Sequence, residues 1–249
     1  MSTTSAAASS ENLTVDDKDA PFSPHFVVVS LGNPAPYENT YHSAGHIALQ
    51  SLQSLLQRDA AQPKFSSERL GKKSTQTSRG PRYTLLQCPT LMNVSGTWLS
   101  KAWREALEQH RGRYPDTPLG LVVVHDDLEE DHHVVKIRPW QRSHRGHNGL
   151  KSIMTTMPAP PSGNVQTDPK WAKISLGVGR PANRDPETVA DYVLRPLSKF
   201  QRESLSEKSG PSLLAALEDV EAAWRSERES GLTTTSSTPA QKGRTKSRR

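Results

Sequence analysis

Apolar residues along this chain fall into short continuous runs separated by stretches with helical spacing. Phe26–Leu31 (FVVVSL) is a β-branched run of strand length that stops at the turn sequence Gly32-Asn33-Pro34. From Ala44 to Arg58, Ile47, Leu49, Leu52, Leu55 and Leu56 supply the apolar stripe of a helix. Residues 59–80 are polar and read as an exposed loop or an irregular strand. Arg82–Cys88 predicts a second strand, broken by Pro89, and a helix follows from Thr97 to His110. Leu119–Val124 is apolar throughout, as a central buried strand requires, and it ends at His125-Asp126-Asp127. Val134–Arg138 predicts a short strand, and Asn148-Gly149 opens a helix that reaches Met157.

Further on, four prolines in 158–169 mark a surface loop, and Lys173–Val178 is a strand. A helix over Asp185–Leu194 has Pro186 near its start. Ser198–Arg228 is helical, with an interruption expected at Gly210-Pro211. Strands alternating with helices predict one α/β domain over 25–230, a twisted mixed sheet flanked by helices on both faces. Residues 1–24 and 231–249 lack periodicity and read as disordered ends.

Composition narrows the function classes. Cys88 is the only cysteine, which excludes an internal disulfide framework and a cysteine-based zinc site. No apolar run approaches the roughly 20 residues that span a bilayer, so the reading is a soluble protein with no membrane partner. The acidic N-terminal segment has neither a secretory nor a presequence pattern. The cytoplasm is the default, with mitochondria as the other setting, and a monomer is expected. The net charge is +6, of which 1–25 carry −3 and 231–249 carry +5, so the body holds +4. A mildly basic body with a basic tail suits a polyanion such as RNA, or simply solubilises the chain.

The residues that bear chemistry follow the predicted strands: Asn33 after the first, Asn93 after the second, Asp126 after the third. Ligand sites of open α/β sheets form at that edge. His42 follows the first strand, and His147 precedes Asn148-Gly149 at a helix start. A neutral imidazole takes a proton from water near pH 7, a carboxylate fixes its tautomer, and asparagine amides donate to a developing oxyanion. Singly, each residue is as well explained by a surface or turn position. His125, Asp126, His132 and His133 lie close in sequence, but without an HExxH pattern they do not make a metal site, and none is expected. Ser95 lacks a nucleophile-elbow context, and Gly177-Val178-Gly179 is too short for a phosphate loop.

In order and context these pieces resemble the bacterial-type peptidyl-tRNA hydrolase family. The blocks are SLGNPAPYENTYHSAGH (30–46), PTLMNVSG (89–96), VVVHDDL (122–128) and GHNGLKSI (146–153), with KISLGVGRP and DYVLRPL after them. The resemblance implies hydrolysis of the ester between a peptide and the 3′ end of its tRNA, without cofactor or metal. It implies His42 as general base, Asp126 as its orienting carboxylate, and Asn33 and Asn93 as positioning groups. Asn148, His147 and Tyr37 would bind substrate, and Lys136 and Arg138, alternating on one strand face, would grip the terminal phosphate. A non-catalytic RNA-binding factor on the same fold is the alternative, and an esterase indifferent to RNA is a third class.

Three departures from the family pattern bear on the site. Ser43 follows His42 where bacterial members commonly have Asn, and Ala35-Pro36 replaces a Gly. The bulky Pro139–Arg145 segment (PWQRSHR) replaces a glycine-rich loop. Trp140 there either packs the loop down or stacks on a base, and Arg142 and Arg145 could add RNA contacts.

Overall fold

The computed structural model describes residues 23–114, 117–160 and 168–235. Most of the segments expected to be disordered (1–22 and 236–249) and part of the proline-rich stretch lie outside the described residues, but 231–235, expected to belong to the disordered tail, are helical. Seven strands form one sheet: β1 (His25–Ser30), β2 (Ser66–Leu70), β3 (Lys73–Arg79), β4 (Tyr83–Gln87), β5 (Leu119–Asp127), β6 (Val135–Pro139) and β7 (Lys170–Gly177), in the order β2-β3-β4-β1-β5-β7-β6. β4, β1, β5 and β7 run parallel, while β2, β3 and β6 are antiparallel to their neighbours. The helices are α1 (Ala44–Asp59), α2 (Ser95–Arg113), α3 (Asn148–Thr156), α4 (Pro186–Leu194) and α5 (Lys199–Thr235). None of them is long and apolar enough to cross a membrane among the described residues.

The pleat of the central strands sorts their side chains onto two cores. Val27, Val29, Leu121 and Val123 face α2 and α3, meeting Trp98, Leu99, Leu150 and Ile153. Phe26, Val28, Val122 and Val124 face α1 and α5, meeting Leu49, Leu52, Leu213 and Leu217. Each of these fully buried aliphatic side chains stabilises the fold by about 1.5–3 kcal/mol relative to exposure.

Topology positions the site. The chain leaves β1 for the β4 side and returns through α2 to β5 on the other side of β1. The crevice at the carboxyl ends of β1 and β5 is therefore a switch point, where open α/β sheets hold their ligands. Gly45 lets α1 begin close against that edge, because a Cβ there would lie 2.5 Å from the Leu31 carbonyl oxygen and 2.9 Å from that of Val124.

Three elements differ from the sequence expectation. Residues 59–80 contain the regular hairpin β2–β3, whose buried positions on β3 are Thr75, Thr77 and Ser78 rather than apolar residues. β5 continues past Val124 to Asp127 and is buried along its whole length, so Asp126 belongs to a strand and not to a turn. α5 is unbroken at Gly210-Pro211 and runs past Arg228. Pro211 lacks the N–H that would reach the Glu207 carbonyl, but the loss is offset by packing on α1. Gly210 is where the two helices touch, and a Cβ there would meet Ser51.

The backbone closeness at Gly45 yields a stability prediction. Gly45→Ala should destabilise the protein by about 1–3 kcal/mol, because neither carbonyl can retreat without disturbing β1 or β5. Urea unfolding of the two proteins measures the difference, and equal midpoints would contradict the packing described.

Candidate active site

His42 sits in a single 3-10 turn, Tyr41–Ser43, between β1 and α1. Its Nδ1 lies 3.0 and 3.1 Å from the two carboxylate oxygens of Asp126. Asp126 is 4% exposed, and a second imidazole reaches it: His147 Nε2 is 2.9 Å from Oδ1. The other His147 nitrogen, Nδ1, accepts the backbone N–H groups of Gly149 and Leu150 at 3.1 and 3.3 Å, capping α3. Those two donors require a lone pair on Nδ1, so the proton is on Nε2 and points at the carboxylate. Asp126 thus accepts N–H bonds from both histidines, and with its Nδ1–H committed, His42 keeps the lone pair on Nε2.

Electrostatics follow from this geometry. Burial of Asp126 opposes its charge, yet His42 and His147 outweigh that and hold the carboxyl well below the usual carboxylate range. For His42, burial disfavours the cation, but the charge and hydrogen bond of Asp126 prevail and raise its pKa above 6.5. Beneath them, burial and the neighbouring His147 push His125 down to about 3. Its Nδ1 lies 2.8 Å from the Asp126 carbonyl oxygen, and its ring meets His147 edge-on at 5.2 Å.

His42, Asp126 and His147 bring three potential ligand atoms within 4.8 Å of one another. A metal on His147 Nε2 would displace a proton that cannot move to Nδ1 while that atom caps α3. The ring would have to become an anion or release the helix, so these residues fit a hydrogen-bonded triad better than a metal centre. His132 and His133 turn elsewhere, toward Tyr41 and Ser204.

A cleft of about 890 Å³ opens beside the triad, walled by α4 on one side and the segment after β6 on the other. His42, Asp126, His147, Asn148 and Arg138 are in its lining; Asn33, Asn93, Tyr37 and Lys136 are not. Asn33 is buried, and its Oδ1 accepts the Met92 N–H at 3.1 Å, tying the first strand end to the turn that exposes Asn93. Tyr37 is half-exposed, and its carbonyl accepts from Thr40 and Ser43.

Lys136 and Arg138 do share one strand face, together with Lys173 and Ser175 across the β6–β7 pair. They are not free cations. Glu130 pairs with both, and Asp127 and Glu130 also take Arg145 from the loop. Trp140 does not present a stacking face: it is 1% exposed, donates to the Met157 carbonyl at 3.2 Å and packs on Trp171.

Sequence reasoning noted Ser43 only as a departure and gave no role to Lys173, Asp127 or Glu130. Ser43 Oγ donates to the Tyr37 carbonyl at 2.7 Å and accepts the Asn33 N–H at 2.9 Å, so it fixes the loop before His42. Lys173 lies buried at the cleft floor beside Arg138, its ammonium donating to the Arg142 carbonyl, and burial lowers it to about 8. Asp127 and Glu130 organise the cations. His147 was noticed, and its place at a helix start was the signal for its capping role, but its bond to Asp126 depends on tertiary structure.

A family model described as peptidyl-tRNA hydrolase matches residues 27–237. The peptidyl-tRNA hydrolase of Geobacter metallireducens is 33% identical over 195 residues, which are 78% of this chain and 85% of the relative. That of Corynebacterium efficiens is 34% identical over 181 residues, 72% of this chain and 86% of its own length. The crystal structure of peptidyl-tRNA hydrolase from Acinetobacter baumannii covers 82% of this chain and 94% of its own, with a TM-score of 0.54 at 21% identity, and shares the fold.

The triad makes a prediction that needs no substrate. The His42 imidazole should titrate above 6.5, and Asp126→Asn should bring that titration down, because the charge favouring the imidazolium is gone. Imidazole nitrogen shifts measured by NMR against pH report both, and an unchanged His42 titration in Asp126→Asn would contradict the assignment.

Proposed function

Since the chain belongs to the peptidyl-tRNA hydrolase family, its reaction is hydrolysis of the ester joining a peptide to tRNA, and we propose that His42 is the general base. The observation that carries the proposal is the Asp126 carboxylate bonded to both His42 Nδ1 and His147 Nε2. It leaves one imidazole nitrogen, His42 Nε2, with a lone pair beside a cleft.

In this reading His42 Nε2 takes a proton from water as the oxygen attacks the ester carbonyl. The imidazolium that forms is stabilised by Asp126, as in other histidine–carboxylate pairs. The carbonyl becomes a tetrahedral oxyanion. Asn148, at the first turn of α3 and in the cleft lining, offers amide and backbone donors to it, helped by the positive end of that helix. Collapse breaks the bond to the ribose oxygen, which receives the proton from His42. The products are a tRNA with a free terminal hydroxyl and the peptide's carboxylic acid, which releases its proton to solvent to become the carboxylate. Asn33, buried and bonded to the Met92 N–H, would act by holding the turn from which exposed Asn93 would position the substrate.

The substrate is a polyanion, and the cleft supplies Arg138, Arg142, Arg145, Lys173, Arg180 and Arg184. Arg138 lines the cleft from β6 and would grip a phosphate near the tRNA end by exchanging its partner Glu130 for it, while buried Lys173 stays on the Arg142 carbonyl. Such a substrate arises wherever ribosomes work, so the cytoplasm is the proposed setting with mitochondria as the other, and a monomer is part of the same proposal.

With an N-acetylated aminoacyl-tRNA as substrate, His42→Ala should lower kcat by about 10²–10⁴-fold, the usual worth of a positioned base. Wild-type rate in that variant would end the proposal, and tRNA binding without any peptide release by the wild type would favour the non-catalytic alternative. The kcat profile should rise with pH through the elevated His42 titration, since only neutral His42 accepts a proton. Arg138→Ala should raise KM and flatten the dependence of log kcat/KM on log salt by roughly one unit of slope. An esterase indifferent to RNA would show neither effect.

A further inference from the structure

A one-turn 3-10 segment has little rigidity of its own, and the turn that carries His42 has no side-chain cap. The placement of the ring therefore depends on what holds the residues on either side. Ser43 is tied back to Asn33 and Tyr37, as described above. Tyr41, on the other side, is tied forward to elements far along the chain.

Tyr41 is 5% exposed, and its ring stacks on Tyr192 of α4, with centroids 5.2 Å apart and planes within 19°. Its hydroxyl accepts from Gln201 Nε2, in the first turn of α5, at 3.0 Å. Tyr192 is itself fixed, its hydroxyl donating to the Val178 carbonyl at 2.6 Å just beyond β7. Burial and Tyr41 raise that phenol to about 12, so it stays a donor at any working pH. The backbone is stitched alongside: Leu197 donates to the Asn39 carbonyl at 2.9 Å, Asn39 Nδ2 donates to the Leu197 carbonyl, and Thr40 bridges Pro196.

α4 has a second role in the same place. Val189 and Val193, one helical turn apart, are in the lining of the cleft next to His42. The helix that walls the cleft and the turn that carries the base thus share one aromatic contact.

We propose that Tyr41 is a positioning residue which, stacked on Tyr192, couples the α4 wall of the cleft to the placement of His42. The proposal rests on His42 being the base. A shift of α4 against bound substrate is passed to the residue next to His42 instead of being absorbed in a linker. The coupling acts on the chemical step, because a base held about 1 Å out of place costs up to about 10²-fold in rate while the binding surface is intact.

The test compares wild type, Tyr41→Ala, Tyr41→Phe and His42→Ala on an N-acetylated aminoacyl-tRNA, at a temperature where circular dichroism shows every variant folded. Tyr41→Ala should lower kcat by about tenfold or more with KM within about twofold, and Tyr41→Phe, which keeps the ring, should restore kcat to within about threefold. A folded Tyr41→Ala with unchanged kcat, or a rise in KM alone, overturns the coupling, as does failure of Tyr41→Phe to rescue. If Tyr41→Ala does not fold, Tyr192→Leu breaks the same stack from the α4 side and must show the same kcat loss. Full turnover in His42→Ala would instead remove the base assignment beneath the proposal, so the two failures are told apart.

Discussion

The site depends on keeping one carboxylate charged where water cannot solvate it. Asp126 is 4% exposed, and an isolated buried carboxylate would cost several kcal/mol and protonate instead. Two imidazole N–H groups resolve the problem, and each arrives by a different structural route. His42 comes on a turn that Gly45 allows to sit against the strand ends. His147 comes at the start of α3, where its second nitrogen is already used as a helix cap. Removing either partner does more than delete a hydrogen bond, since it leaves a buried charge under-satisfied. The tautomer of His147 is set by backbone donors, so the helix start and the carboxylate are parts of one arrangement.

Much of this was legible in the sequence. The β-branched run FVVVSL and the continuous run LVVV identified the two central strands and the edge at which Asn33 and Asp126 would gather. The four motif blocks identified His42 and its carboxylate. What escaped reading has physical reasons. On the hairpin β2–β3 only Leu70 supplies a buried apolar side chain, and the buried positions of β3 are Thr75, Thr77 and Ser78, so the apolar signal is weak. Gly210-Pro211 looks like a helix break by propensity, but contact with Ser51 of α1 decides otherwise. β5 appeared to end at Val124 because its last residues are polar, yet their partners come from α3, β6 and the turn before α1. No local pattern reveals such partners.

The substituted loop shows the same limit. Trp140 is too large for a glycine-rich strap over a cleft, but its indole is turned inward against Trp171 and anchors the segment. Lys173, invisible as a functional residue within an apolar strand, holds the same segment through the Arg142 carbonyl. The loop is rooted at two buried points, and its arginines extend from a fixed base. Cations counted from sequence also overstate what the cleft offers, because Asp127 and Glu130 hold three of them in ion pairs.

The last two residues of β5 point to opposite faces of the pleat. Asp126 turns toward the imidazoles, and Asp127 turns toward Arg138 and Arg145. In the proposed function, proton transfer and anion recognition are therefore divided between neighbouring residues of a single strand, separated only by its two-residue period. One residue inserted or deleted in β5 would exchange the two faces and present each carboxylate to the other's partners.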